Sequence, residues 1–198
     1  PERLVTSTRR TFGDLHDQLW GEVKPVDPNR IDVWRAGEPS SAAGLRPVST
    51  PGHIAHHLAF LDERDGTLFS GDSMGITLGD GPQHPPTPPP SVNLPDWYRT
   101  LDEIGEIAPE RYAATHFGFH KDVEPRRIQL LDRLEKLEAR VRSAVSEDRE
   151  EEDAAAFERE VRTELAPFMG EERVNRYFDM FPAATDWAGV MFYIKRNP

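Results

Sequence analysis

The sequence predicts an α+β fold. Short β-prone runs bounded by turn residues fill residues 1–123, a proline-dense stretch interrupts them at 79–95, and charged sequence of helical period occupies 124–198. The expected organisation follows those changes in character: a mixed α/β part at 1–123 carrying the proline-rich loop 79–95, then a helical region at 124–198 packed on it.

A first helix is expected from Glu2 to Val23, where Leu4, Val5, Phe12, Leu15, Leu19 and Trp20 recur at near-helical spacing, and Pro25 and Pro28 end it. His16 and Asp17 read as its solvated face. Ile31 to Trp34 and Leu45 to Ser49 follow as strands around a polar loop at 37–44. His57 to Leu61 and Thr67 to Phe69 then form a hairpin about Asp65-Gly66. The prolines at 82, 85, 86, 88, 89, 90 and 95 remove backbone donors and fix φ, so this stretch is neither strand nor helix interior. Three readings of it stay open: a stiff extended connector, a docking segment for a proline-recognising partner, or a wall of the cleft that holds His84.

Trp97, Leu101, Ile104 and Ile107 place an amphipathic helix at Asp96 to Ile107, ahead of a short strand at Tyr112 to Thr115 and an exit loop at Phe117-Gly118. Beyond Pro125, the stripe Ile128, Leu131, Leu134, Leu137, Val141 and Val145 predicts a long helix with a wet, charged face. The acidic run Glu147 to Asp153 reads as a solvated turn or helix start, and helices near Ala154 to Leu165 and Glu171 to Phe181 complete a cap rich in aromatic residues.

Composition narrows the function classes. A net charge of −11 over 198 residues disfavours nucleic acid, whose phosphates need a basic surface. No apolar run approaches the ~20 residues a spanning helix needs, so no membrane role is expected. The sequence contains no cysteine, which removes disulfides and thiolate metal sites and agrees with a cytoplasmic location.

The chemistry-bearing residues sit where strand-like runs end. His53 follows a Pro-Gly turn after Leu45 to Ser49, Asp72 follows Thr67 to Gly71, and His116 follows Tyr112 to Thr115. Two imidazoles and one carboxylate held by strand ends are what a borderline divalent ion takes as ligands. His56 and His57 are consecutive, so in a strand they face opposite ways and only one enters the cleft. His57 reads either as a contact behind the ligands or to substrate, or as a structural hydrogen-bonding residue; His56 and His120 read as surface residues.

The motifs Thr50-Pro51-Gly52-His53, Phe69-Ser70-Gly71-Asp72-Ser73-Met74-Gly75, Ala114-Thr115-His116-Phe117-Gly118 and Asp186-Trp187-Ala188-Gly189 resemble those of metallo-β-lactamase-fold hydrolases, in the branch similar to glyoxalase II. The resemblance implies the second half of an αββα sandwich, a mixed sheet flanked by helices, with a C-terminal helical cap. It also implies two zinc ions, with iron or manganese as alternatives: His53 on the first, Asp72 bridging, His116 on the second. The family's other ligands come from H-x-H-x-D-H, which does not occur in this sequence. The expectation is therefore the C-terminal part of a hydrolase that uses a metal-activated water on an ester, thioester, lactone or amide. This chain alone would be metal-poor and inactive, and would associate with the missing N-terminal half or with a second copy as a homo-oligomer around a small-molecule substrate. The alternative is a non-catalytic α+β binding or interaction module.

Overall fold

The computed structural model describes residues 2–31, 33–35, 37, 44–116 and 118–197, with Thr11 and Phe12 described by their backbone only. The expectations for Asp32, loop positions 38–43, Phe117 and the Phe12 side chain lie outside those residues. Pro1–Trp34 and Arg35–Pro198 form two compact units.

In the first unit the single helix expected from Glu2 to Val23 is broken. Helix α1 (Glu2–Phe12) stops at Gly13, a 3₁₀ turn covers Gly13–Leu15, and α2 spans His16–Trp20. His16 is buried rather than solvated, with Nδ1 at 3.0 Å from Asp17 Oδ1 and Nε2 at 3.0 Å from Thr8 Oγ1. Ile31, Val33 and Trp34 form no strand. Their β propensity is a preference for a pleated, half-buried surface, and Ile31 and Val33 are exposed here.

The second unit is built on a five-stranded mixed sheet of β1 (Leu45–Ser49), β2 (Leu58–Asp62), β3 (Thr67–Gly71), β6 (Arg111–Ala114) and β7 (Gly118–His120), in the order β1-β2-β3-β6-β7. Neighbours are antiparallel except β3 and β6, which run parallel. The expected hairpin about Asp65-Gly66 is the β2–β3 pair. The expected exit loop after His116 is instead the turn into β7, whose Gly118 and Phe119 pair with Ala114 and Ala113. Because β1 and β3 are both antiparallel to β2, and β3 is parallel to β6, the C-terminal ends of β1, β3 and β6 emerge on one edge of the sheet. That edge carries the site.

Side-chain alternation splits the sheet into two faces. Val48, Ala59, Leu68 and Tyr112 face a core shared with three helices: α3 (Leu94–Ile107), α4 (Val123–Ser146) and α7 (Ala183–Arg196). Each fully buried Leu or Ile there is worth ~1.5–3 kcal/mol relative to exposure. The opposite row aligns Phe60, Phe69, Ala113 and Phe119 across four strands, and Phe69 and Phe119 are 42% and 66% exposed.

The crossover from β3 to β6 passes through the proline-dense stretch, which is not a bare connector. Gln83–His84 (β5) pairs with Ile76–Thr77 (β4), and Pro85, Pro86 and Thr87 are buried, leaving Pro89 and Pro90 exposed. Asn93 then caps α3 by accepting from the Asp96 N–H, and Pro109 follows its last turn.

The long helix α4 buries Leu134, Leu137 and Val141 of the expected stripe, whereas Ile128 is exposed and Leu130 takes the core position at that end. The acidic run becomes a turn and the first turn of α5 (Glu150–Met169), where Glu150, Glu151, Glu152 and Asp153 complement the helix dipole. Asp153 also accepts from Arg140 and from the Trp187 indole, tying α5 to α4 and α7. Helix α6 (Glu171–Met180) matches its expectation, whereas α7 has no counterpart among the sequence expectations. Among the described residues no helix is long and apolar enough to cross a membrane.

Candidate metal centre

His53, Asp72 and His116, each just past a strand end, meet at that edge. His53 Nε2 lies 3.6 Å from Asp72 Oδ2, and His116 Nε2 lies 3.9 Å from Asp72 Oδ1. Each carboxylate oxygen thus faces a different imidazole. An ion bound at ~2.0–2.1 Å from nitrogen and ~2.0–2.2 Å from oxygen with a tetrahedral angle sets those atoms about 3.4 Å apart. The donor types and spacing fit one ion on either side of Asp72. Among the described residues no three or more His, Cys, Asp or Glu side chains gather closely enough to cage an ion by themselves. Asp72 is the group that both imidazoles approach.

The backbone around Asp72 explains how it is aimed. Register slips by one residue between Phe69 and Gly71 where β3 pairs with β6, a bulge that turns the strand end toward the edge. Gly71 has φ +55°, and a Cβ there would come within 2.4 Å of His57 Nε2. Only glycine lets the imidazole sit beneath this turn. The Asp72 N–H donates to His57 Nε2 at 3.1 Å, so that nitrogen is an acceptor, and the proton of the neutral ring lies on Nδ1, donated to Thr50 Oγ1 at 2.7 Å. Burial holds the His57 imidazole below its ordinary pKa, against the opposing pull of Asp72. Both ring nitrogens are committed, which places His57 under the Asp72 backbone with no lone pair left over for an ion. His56 is exposed.

His53 is held from several directions. Its loop is pinned to α3: the Asn93 N–H donates to Gly52 O at 2.8 Å, and Thr100 Oγ1 donates to Pro51 O at 2.6 Å. Its Nδ1 is 2.8 Å from Pro86 O, and since a carbonyl can only accept, Nδ1 carries the proton and Nε2 presents its lone pair toward Asp72. Trp97 packs edge-on to the ring at 5.9 Å and donates its indole N–H to Ser73 O, joining the His53 loop to the Asp72 loop. In the sequence Trp97 reads only as part of a helix face, and the Pro86 carbonyl has no side-chain signature at all.

His84 is buried behind this edge, with Nε2 at 2.8 Å from Asp186 Oδ2. Its ring stacks edge-on against Phe178 of α6, whose neighbour Tyr177 feels both Asp186 and Asp72; burial and those charges push the phenol up to about 12. Tyr177 is therefore a neutral hydroxyl across the physiological range. His120 is half-buried and stacked on Tyr112 at 4.9 Å, not a surface residue.

No protein-family model and no curated protein sequence matches the chain. Solved structures do. An archaeal metallo-β-lactamase superfamily protein from Sulfolobus tokodaii is similar at 25% identity and TM-score 0.55 over 69% of this chain and 50% of that one. A metallo-β-lactamase family protein from Thermus thermophilus is similar at 21% identity and TM-score 0.53 over 100% of this chain and 61% of that one. The chain has a metallo-β-lactamase fold. It spans half to about three fifths of the length of these two structures. The mixed sheet with its helical flank and the C-terminal helical region match that fold.

Proposed function

We propose that this chain carries the later half of the metal site of a glyoxalase II-like hydrolase, with His53 on one ion, His116 on a second and Asp72 between them. The observation that carries the reading is the two-sided use of Asp72, each of whose oxygens faces a separate imidazole. Zinc is the expected ion and iron or manganese the alternatives, because neutral imidazole and carboxylate suit all three. When bound, such ions lower the pKa of water toward neutrality and polarise a carbonyl, which suits cleavage of an ester, thioester, lactone or amide.

The chain's own residues prepare that chemistry. His53 presents its Nε2 lone pair because its other nitrogen is donated to Pro86 O. His57 fixes the backbone from which Asp72 projects.

With two donors per ion, this set falls short of the three protein ligands usual in a catalytic zinc site. The remaining donors come, in this reading, from outside these residues: from an H-x-H-x-D-H segment, or from another copy. The exposed row of Phe69 and Phe119 supports the same conclusion, since a contiguous apolar sheet face is normally covered. Zinc titration of the wild type and of Asp72→Ala, read by equilibrium dialysis, tests the assignment. Measurable zinc binding that disappears in the variant is expected. Equal binding by both, or two tightly held equivalents in the wild type alone, overturns it. Sedimentation as a strict monomer would remove a second copy as the source of the remaining donors.

A further inference from the structure

We infer that Asp186, in the first turn of α7, is a positioning residue for His53 and acts through a single peptide group. The Thr87 N–H donates to Asp186 Oδ1 at 2.8 Å, while the carbonyl of that same peptide unit, Pro86 O, accepts from His53 Nδ1 at 2.8 Å. A peptide is planar and rigid, so fixing its N–H end fixes the direction of its carbonyl. A carboxylate on the N–H end also polarises the unit and strengthens the carbonyl as an acceptor. The arrangement does across one peptide what a carboxylate bonded directly to a ligand imidazole does: it sets tautomer and ring orientation.

The rest of the Asp186 environment serves the same end. Its second oxygen, Oδ2, accepts from His84 Nε2 at 2.8 Å, and its main-chain oxygen accepts from Thr87 Oγ1 at 2.8 Å. His84 is only 2% exposed, so this grip is shielded from water. Helix α7 lies so near the segment that a Cβ on Gly189 would fall 1.7 Å from Thr87 O. Only a glycine permits that approach. The Asp186-Trp187-Ala188-Gly189 motif thereby gains a role: Asp186 and Gly189 seat residues 84–87 against α7, and the seated segment aims His53.

The inference rests on His53 being a ligand, and the experiment separates the two ideas. In metal-free protein labelled with ¹⁵N-histidine, long-range ¹H–¹⁵N correlations report which His53 nitrogen bears the proton. The wild type is expected to show it on Nδ1; a proton on Nε2 overturns the proposal without any variant. In Asp186→Ala the Nε2–H form should appear and zinc affinity should fall by about 10–100-fold. Asp186→Asn, whose amide oxygen still accepts from Thr87, should restore the Nδ1–H form and most of the affinity. Val161→Ala, a core truncation in α5, controls for lost stability and should leave the tautomer unchanged. An unaltered tautomer in Asp186→Ala, or an equal change in Val161→Ala, overturns the proposal. A tautomer change accompanied by no zinc binding even in the wild type supports the clamp while removing the ligand assignment.

Discussion

His53 and His116 each approach a different oxygen of the same carboxylate, yet their surroundings differ. The His53 side chain is 14% exposed, is bonded to the buried Pro86, and sits on a loop fastened to α3. That of His116 is 48% exposed and stands on the turn between β6 and β7, where the Thr115 N–H reaches Gly71 O at 3.4 Å. One imidazole is packed into its surroundings and the other stands at a more open turn. A carboxylate shared by two imidazoles thus leaves them in unequal settings, and an ion held by such groups is bound as firmly as each side chain is itself held still.

The largest test removes what both halves share. Asp72→Ala should lower zinc affinity by at least ~100-fold, by equilibrium dialysis, with little change in urea stability because the side chain is partly exposed. The next separates the halves: His53→Ala leaves the Pro86 carbonyl without its donor and should cost about 1–3 kcal/mol in urea unfolding, whereas the more exposed His116→Ala should cost less than about 0.5 kcal/mol. Equal costs would erase the asymmetry. Gly71→Ala forces a Cβ against His57 and should destabilise by about 1–3 kcal/mol; a neutral result would mean that the imidazole has room to move.

The smallest effect concerns the His116 side. Burial, helped by Arg126, holds His120 below its ordinary value of 6.5, so the unfolded chain binds a proton there more readily than the folded one. Stability is fully present above that value and declines as pH falls below it. His57 contributes with the same sign, so His120→Gln should flatten part of the loss between about pH 6.5 and 5. An unchanged slope would show that His120 titrates normally.

The strand ends were legible because alternating apolar runs followed by glycine or proline turns carry both a period and a stop. Those signals located β1, β2, β3 and β6, and with them His53, Asp72 and His116. The stripe from Leu134 to Val141 was equally plain. What supports His53 was not. A main-chain carbonyl looks the same after any residue, and Asp186 acts on it from a helix whose Thr185, Gly189 and Tyr193 give weak propensity. Packing of Trp187, Val190 and Ile194 into the core makes that helix, a tertiary effect that local pattern does not announce. The break at Gly13 and the burial of His16 escaped for a related reason: the amphipathic period continued through a residue that the backbone used as a stop.

The seat that Gly189 provides on Thr87 bears on when the protein matures. A ribosome releases His53, Asp72 and His116 well before α7 emerges. A nascent chain would hold these groups while their arrangement is still slack, and the peptide that aims His53 would await the docking of the last helix.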